Sequence, residues 1–287
     1  MYANTQINQQ EIIPAKNDIG ALANRINMET RSLHNNVDKL VTLKFAIAIK
    51  NYKIYRQGIQ MFYHIFKAVE IALDRELKSN NKYTEMFQNI YKPEMLRTEK
   101  LFTDLMYYYH DKSEHFENPI LKGQIEFTDY IKKSTSDHPY LLLAYMHVLY
   151  LALFAGGRIM SSQVAKSLSL YPKIENNSYE EFINQGTNFY KFDVEDMETL
   201  RIIYKRDYEL QTRNFLSEEE KIEIINESKY IFQKVTDGIK EIENHNLETI
   251  NGTFTYHLIT KGYYILLALL TLLICFILKV VISRFFH

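Results

Sequence analysis

From Tyr140 to Met160 the chain reads YLLLAYMHVLYLALFAGGRIM, one long apolar helix with Gly156 and Gly157 inside it. A glycine in a helix interior costs about 1 kcal/mol relative to alanine, so two in a row require a reason. One reason is a kink where bare backbone approaches a flat, bulky partner more closely than any side chain allows. The other is a turn between two helices, with Gly156 near the C′ position. The pair alone leaves both open.

Glycine and proline are scarce elsewhere, with 9 and 5 in 287 residues, which argues against a turn-rich β protein. Apolar residues make up 46% of the chain, enough for a sizeable core, and the aromatic load falls on 22 Tyr and 17 Phe without Trp. Basic and acidic residues number 34 and 35, a net charge of −1 that does not advertise nucleic acid as a partner. Cys275 is the single cysteine, so no internal disulfide framework or cysteine-based metal cluster can form. The polar N-terminus carries no hydrophobic run of signal-peptide type.

Ile19, Leu22, Ile26, Leu33, Val37 and Leu40 recur at helical spacing after Asp18, a suitable N-cap. Further helical stretches are expected over 54–77, 93–109, 120–133, 140–170, 197–214 and 217–244. Glu218, Glu219 and Glu220 crowd the turn after Ser217, as the helix dipole favours. No sustained alternation suggests strands. The expected architecture is all-α: a disordered stretch over 1–17, one helical domain over 18–244 and a linker over 245–262.

Residues 263–278 carry no charge, and continuing past Lys279 to Ile282 gives twenty residues, about 30 Å of helix. Tyr263 and Tyr264 suit an interfacial belt, and Lys279 can snorkel. The expectation is a C-terminal transmembrane helix over 263–282, a tail anchor that leaves the globular domain facing the cytosol.

Common nucleotide, serine-hydrolase and zinc-protease motifs are missing. Among the nine histidines, His34 flanks the apolar stripe of the first helical stretch, with Asp38 one turn on. An aspartate there can accept the proton of one imidazole nitrogen and leave the other free as a ligand. The alternative, which spacing alone favours, is a capped, partly exposed histidine without a ligand role.

Three blocks together resemble the heme oxygenase family, most closely its fungal, membrane-anchored branch. The first is ALANRINMETRSLHNNVDKL, where Thr30 and His34 match the family's Thr-x-x-x-His. The second is FYHIFKAVE, from Phe62 to Glu70. The third is LLLAYMHVLYLALFAGGR, matching the family's distal helix, which bends over heme at its glycine pair. Weaker matches lie at GTNFYKF, from Gly186, and at TLRIIYK, from Thr199.

The resemblance implies heme held between two helices, with His34 as proximal iron ligand and Thr30 beside it. Gly156 and Gly157 would lay distal backbone against the porphyrin. Arg201 and Lys205, at i and i+4, would hold the propionates, although an ordinary solvated face explains that pair as well. Phe232 falls where the family packs an aromatic beside the heme, and a core role fits it equally. The family's distal aspartate aligns with Leu153, the glycine before it with Ala152, and two tyrosines of the distal water network with Phe66 and His147. His147 either substitutes as a proton donor or anchor for water, or ligates iron from the distal side.

The implied activity is cleavage of heme to biliverdin, carbon monoxide and ferrous iron, serving iron recovery. Dioxygen and electrons would drive it, the electrons coming from NADPH through cytochrome P450 reductase on a shared membrane. The endoplasmic reticulum is the expected membrane, with the mitochondrial outer membrane second. The alternatives are a non-enzymatic heme-binding or heme-sensing protein on the same fold, and an all-α adaptor without heme.

Overall fold

Helix α3 (Tyr52–Lys78) is the axis of the main unit. Asn51 starts it by accepting a hydrogen bond from the Lys53 backbone N–H at 3.0 Å. Apolar and aromatic residues at helical spacing then bury one side of it, from Ile54 through Tyr55, Ile59, Ile65 and Phe66 to Leu73. The computed structural model describes residues 14–15, 17–167, 170, 178–251, 262 and 264–277. Within it the chain divides into two compact units, residues 1–242 and 243–287.

In the first unit α1 (Leu22–Glu29) leads through Thr30 into α2 (Arg31–Ala48) and then α3. Next come α4 (Thr84–Ile90), α5 (Thr98–Tyr108) and α6 (Lys122–Asp137). α3 packs most extensively on α5 and α6. α10 (Met197–Phe215) opens on Asp196, which accepts from the backbone N–H groups of Glu198 and Thr199. α11 (Glu218–His245) opens on a reciprocal capping box. Glu220 N–H donates to Ser217 Oγ at 3.2 Å, and Ser217 N–H donates to Glu220 Oε2 at 2.8 Å. Among the described residues no strand forms, and the all-α expectation stands.

The apolar stretch around residue 150 is not the uniform helix its periodicity suggests. It begins as a 3-10 turn at Pro139–Leu141, becomes α7 (Leu142–Tyr145), and then passes through π turns at Met146–Tyr150 and Leu153–Gly157. It ends as α8 (Arg158–Ala165). Every residue from Tyr140 to Tyr150 is buried. Wider turns leave carbonyls without their usual partners, and two tyrosines of α10 serve them. Tyr204 Oη donates to the Met146 carbonyl and Tyr208 Oη to the Leu143 carbonyl, each at 3.0 Å. Beyond α8 lie α9 (Tyr179–Gln185) and the 3-10 turn Asn188–Tyr190.

The second unit contains α12 (Leu247–Asn251) and an apolar helix, Tyr264–Ile277. The described residues of that helix span about 21 Å, against a hydrocarbon core of about 30 Å. Among the described residues the one helix long and apolar enough to cross a membrane is Pro139–Gly157, mid-chain and 78% buried. A helix so covered by protein is a core element. The C-terminal transmembrane helix expected from the sequence is therefore not supported. The tail-anchored membrane partner, the endoplasmic reticulum placement and the argument for a reductase concentrated on a shared membrane fall with it. Tyr263 and residues 278–282 of the expected span lie outside the described residues, as do most of the expected disordered segment 1–17 and of the expected linker 245–262.

Candidate functional site

Thr30 sits at the junction of α1 and α2, where the chain bends between two short amphipathic helices. Its hydroxyl is buried and donates to the Ile26 carbonyl at 2.7 Å, while its own carbonyl accepts from the His34 N–H at 2.8 Å. The His34 imidazole projects from α2 as an exposed group, and its ring meets the Phe232 ring of α11 edge-on at 5.7 Å. An aromatic edge limits the rotation of the imidazole without consuming either nitrogen. Asp38 is exposed and makes no hydrogen bond to His34, so the second-nitrogen partner expected from the i+4 spacing is not formed. Lys229 of α11 also reaches Glu29 of α1 at 2.9 Å, which ties α11 to the same junction.

α2 is unusual in how little it buries. Of its eighteen residues only Ile47 is fully buried, although Leu33, Val37, Leu40, Val41 and Phe45 give it an apolar stripe. The 139–165 helix presents a matching open stripe, with Ala152, Ala155 and Ile159 exposed and Leu153, Phe154 and Gly157 turned inward. Gly156 belongs to the open side, and a Cβ added there meets no atom within 4 Å. A Cβ on Gly157 would reach Leu153 and the Cδ1 of Tyr190 at 3.9 Å, ordinary contact. Of the two glycines, then, Gly156 is the one whose missing side chain leaves open space.

Two ties hold these walls. Near one end His147 Nε2 lies 3.0 Å from Asn27 Oδ1. At the other, Ser167 Oγ donates to the Ile49 carbonyl at 2.7 Å. His147 is buried against Tyr208 and its Nδ1 has no hydrogen-bond partner. Burial, and then the nearby Lys205 charge, push its pKa down to about 3, so the imidazole is neutral. It holds two elements together as an uncharged ring whose Nε2–H donates to Asn27 Oδ1.

Arg201 and Lys205 share one face of α10, as their spacing predicts. They differ in what they have left to offer. Arg201 is committed to Glu198, with Nε donating to Oε2 at 2.8 Å and Nη2 to Oε1. Lys205 makes no hydrogen bond or ion pair among the described residues. Burial first, and the Arg201 charge next, lower its pKa. A half-desolvated ammonium of this kind favours an incoming carboxylate.

Behind the glycines lies a layer that local sequence gives little sign of. Arg97 is fully buried, with Nη1 donating to the Lys191 carbonyl and Nη2 to the Glu94 carbonyl, each at 2.7 Å. Its guanidinium stacks 4.0 Å from the Phe192 ring centre, and Phe192 stacks on Phe154 of the second π turn at 4.7 Å. Glu70 accepts from the Arg97 and Thr98 N–H groups and from Tyr150 Oη. Asp104 accepts from Asn188 and Phe189 and so fixes the turn that carries Tyr190. Burial raises the Asp104 carboxyl to about 7 against those bonds. His64 is also buried and neutral, pushed down to about 4 by burial and then by Lys67 and Lys132. It borders a cavity of about 10 Å³ between α3, α6 and α11, room for roughly one water, which none of the expected site residues lines.

These features suit a flat, acidic ligand: an exposed imidazole on α2, side-chain-free backbone on the 139–165 helix and an unengaged, half-buried lysine on α10. The match to known proteins agrees. The heme oxygenase family model covers residues 20–240, nearly all of the first unit. The chain belongs to the heme oxygenase family. It is 36% identical to a heme-binding protein of Saccharomyces cerevisiae, over 88% of this chain and 84% of that one. It is 26% identical to heme oxygenase 2 of Synechocystis, over 84% and 90%. In fold it resembles heme oxygenase 2 from Chlamydomonas reinhardtii, with a TM-score of 0.67 and 21% identity over 77% of this chain and 96% of that one. Synechocystis heme oxygenase-2, solved with heme and NO, gives a TM-score of 0.66 at 23% identity, over 84% and 92%.

Proposed function

We propose that this chain is a heme oxygenase, opening heme to biliverdin, carbon monoxide and ferrous iron with dioxygen and externally supplied electrons. The observation that carries this reading is the family match across the helical unit, residues 20–240, within which both open walls lie. Heme is at once the substrate and the group that activates oxygen, so a bound heme supplies the redox chemistry itself.

The chain's own residues supply position. His34 is the proximal ligand in this reading, its backbone N–H held by Thr30 and its ring steadied by Phe232. Gly156 lets the opposite wall approach the macrocycle closely. Lys205, with Arg201 beside it, would hold the propionates, since a half-desolvated ammonium favours a carboxylate. His147 acts here as a tie to Asn27. The engagement of its Nε2 by Asn27 and the burial of its ring against Tyr208 of α10 weigh against the distal-ligand alternative. The higher identity with the yeast protein, 36% against 26% for the cyanobacterial one, supports a place in the fungal branch.

A second reading, heme binding without turnover, is favoured by one feature: no side chain from Leu151 to Gly157 is polar. A single experiment separates the two. The full chain is loaded with heme and its Soret band recorded; ascorbate and dioxygen are then added with catalase present to remove free peroxide. Loss of the Soret band with release of bilin and carbon monoxide is the expected result. A stable Soret band without bilin overturns the enzymatic reading, and no Soret shift on loading overturns both.

A further inference from the structure

The 151–157 segment offers no hydrogen-bonding side chain, yet a pair of buried hydroxyls stands directly behind it. Tyr190 follows Phe189 in the turn that Asp104 fixes, and its ring edge lies 3.9 Å from where a Cβ on Gly157 would stand. Its Oη is 3.2 Å from Tyr55 Oη. Tyr55, on α3, meets Phe45 of α2 edge-on at 6.2 Å. The pair thus joins the two walls: Phe45 belongs to the helix that carries His34, and Gly157 to the helix that bends.

Two phenols carry two hydroxyl protons, and one bond between them uses one. Among the described residues no acceptor takes the second. The neighbouring Tyr108 Oη donates to the Gly186 carbonyl at 3.1 Å and meets Tyr55 through its ring edge, not through a hydrogen bond. Tyr55 and Tyr190 are 3% and 8% exposed, and burial holds both hydroxyls protonated across the physiological range. A buried donor with an unspent proton gains most from an acceptor brought to it.

We infer that the Tyr55–Tyr190 hydroxyl pair is the distal hydrogen-bond donor of this protein, directed at an oxygen-bearing ligand or water held between the walls at the Gly157 end. The inference rests on the heme reading above. One hydroxyl donates to the other, which keeps its own proton free: the hydroxyl with the free proton is the donor to the ligand and its partner positions it. A fixed dipole of this kind supports charge that develops on oxygen without reorganising when it does.

The test uses Tyr55→Phe, Tyr190→Phe and the double variant in the full chain. Removing both hydroxyls leaves two rings of the same shape, so the double variant is expected to fold and to bind heme as the wild type does. Carbon monoxide on the reduced, heme-loaded protein is the probe. Its stretching frequency should rise in the double variant, and the difference between H2O and D2O should vanish. Bilin formation should fall about tenfold, the equivalent of one hydrogen bond. A wild type that neither binds nor degrades heme would defeat the functional reading itself. A wild type that degrades heme, with a double variant unchanged in both carbon monoxide frequency and solvent-isotope response, would defeat this inference alone.

Discussion

His147 Nε2 and Asn27 Oδ1 meet at 3.0 Å, and through that bond the buried π turn of the core helix grips the outer face of α1. Nothing else satisfies the imidazole, because its Nδ1 is already without a partner. Asn27→Ala should therefore leave a buried ring wholly unpaired and destabilise the protein by about 1–3 kcal/mol. Urea unfolding measures this directly, and an unchanged midpoint would show the bond to be incidental.

Two buried imidazoles also give the fold a pH dependence. His147 and His64 titrate near 3 and 4 in the folded chain, against an ordinary 6.5. Between about 4 and 6.5 the unfolded chain thus binds more protons, so these groups make stability rise with pH and erode it as pH falls. Asp104 works in the opposite sense. Its folded pKa is raised from 3.8 to about 7, so the folded chain holds the extra proton and this contribution weakens as pH rises. Asp104→Asn should steepen the rise in stability between about pH 4.5 and about pH 6.5. Denaturant midpoints at the two values test it, and a shallower rise would contradict the assignment.

At Gly156 stability and function should separate. A Cβ there meets nothing in the fold, and alanine relieves the conformational entropy of glycine in a helix. Gly156→Ala is expected to stabilise the heme-free protein by about 0.5–1 kcal/mol while slowing heme degradation. A thermal melt alongside a bilin assay shows whether the two effects part. A variant that degrades heme at the wild-type rate would remove Gly156 from the site.

Lys205→Met should weaken heme binding by about ten- to a hundredfold, the worth of a charged hydrogen bond. Heme dimethyl ester, which lacks the carboxylates, should bind wild type and variant alike. If both ligands weaken equally, the lysine acts through packing.

His34→Ala should abolish the wild-type Soret signature and heme degradation, with free imidazole restoring part of the signature. The side chain is exposed, so stability should stay within about 0.5 kcal/mol of wild type. Unaltered spectra would remove His34 as the iron ligand.

Much of the helical layout was readable because helical periodicity and capping chemistry are local. Ser217 and Glu220 form their box, Asp196 caps α10, and Arg201 and Lys205 fall on one face because i and i+4 must. What the sequence misled on was equally physical. The expectation of a membrane span over 263–282 rests on apolar length and composition, a test that the buried core helix Pro139–Gly157 meets among the described residues. A four-residue spacing allows a His34–Asp38 bond without requiring it. Arg97, Asp104, Tyr55 and Tyr190 draw their roles from partners distant in sequence, 94 residues in the Arg97–Lys191 bond and 135 in the Tyr55–Tyr190 bond, so no window of sequence displays them. The one local hint was Glu70, which the resemblance picked out without saying that it caps α5.

The π turns near Met146 are stitched by Tyr204 and Tyr208, and those tyrosines alternate along α10 with Arg201 and Lys205. One helix thus carries both the cationic pair proposed to meet the ligand and the staples that set the curvature of the bent helix. Sliding α10 to suit a ligand with longer or shorter acid arms would drag the bent helix with it. Changes of ligand specificity in this protein are therefore expected to demand paired substitutions, one at the cationic pair and one at the bend.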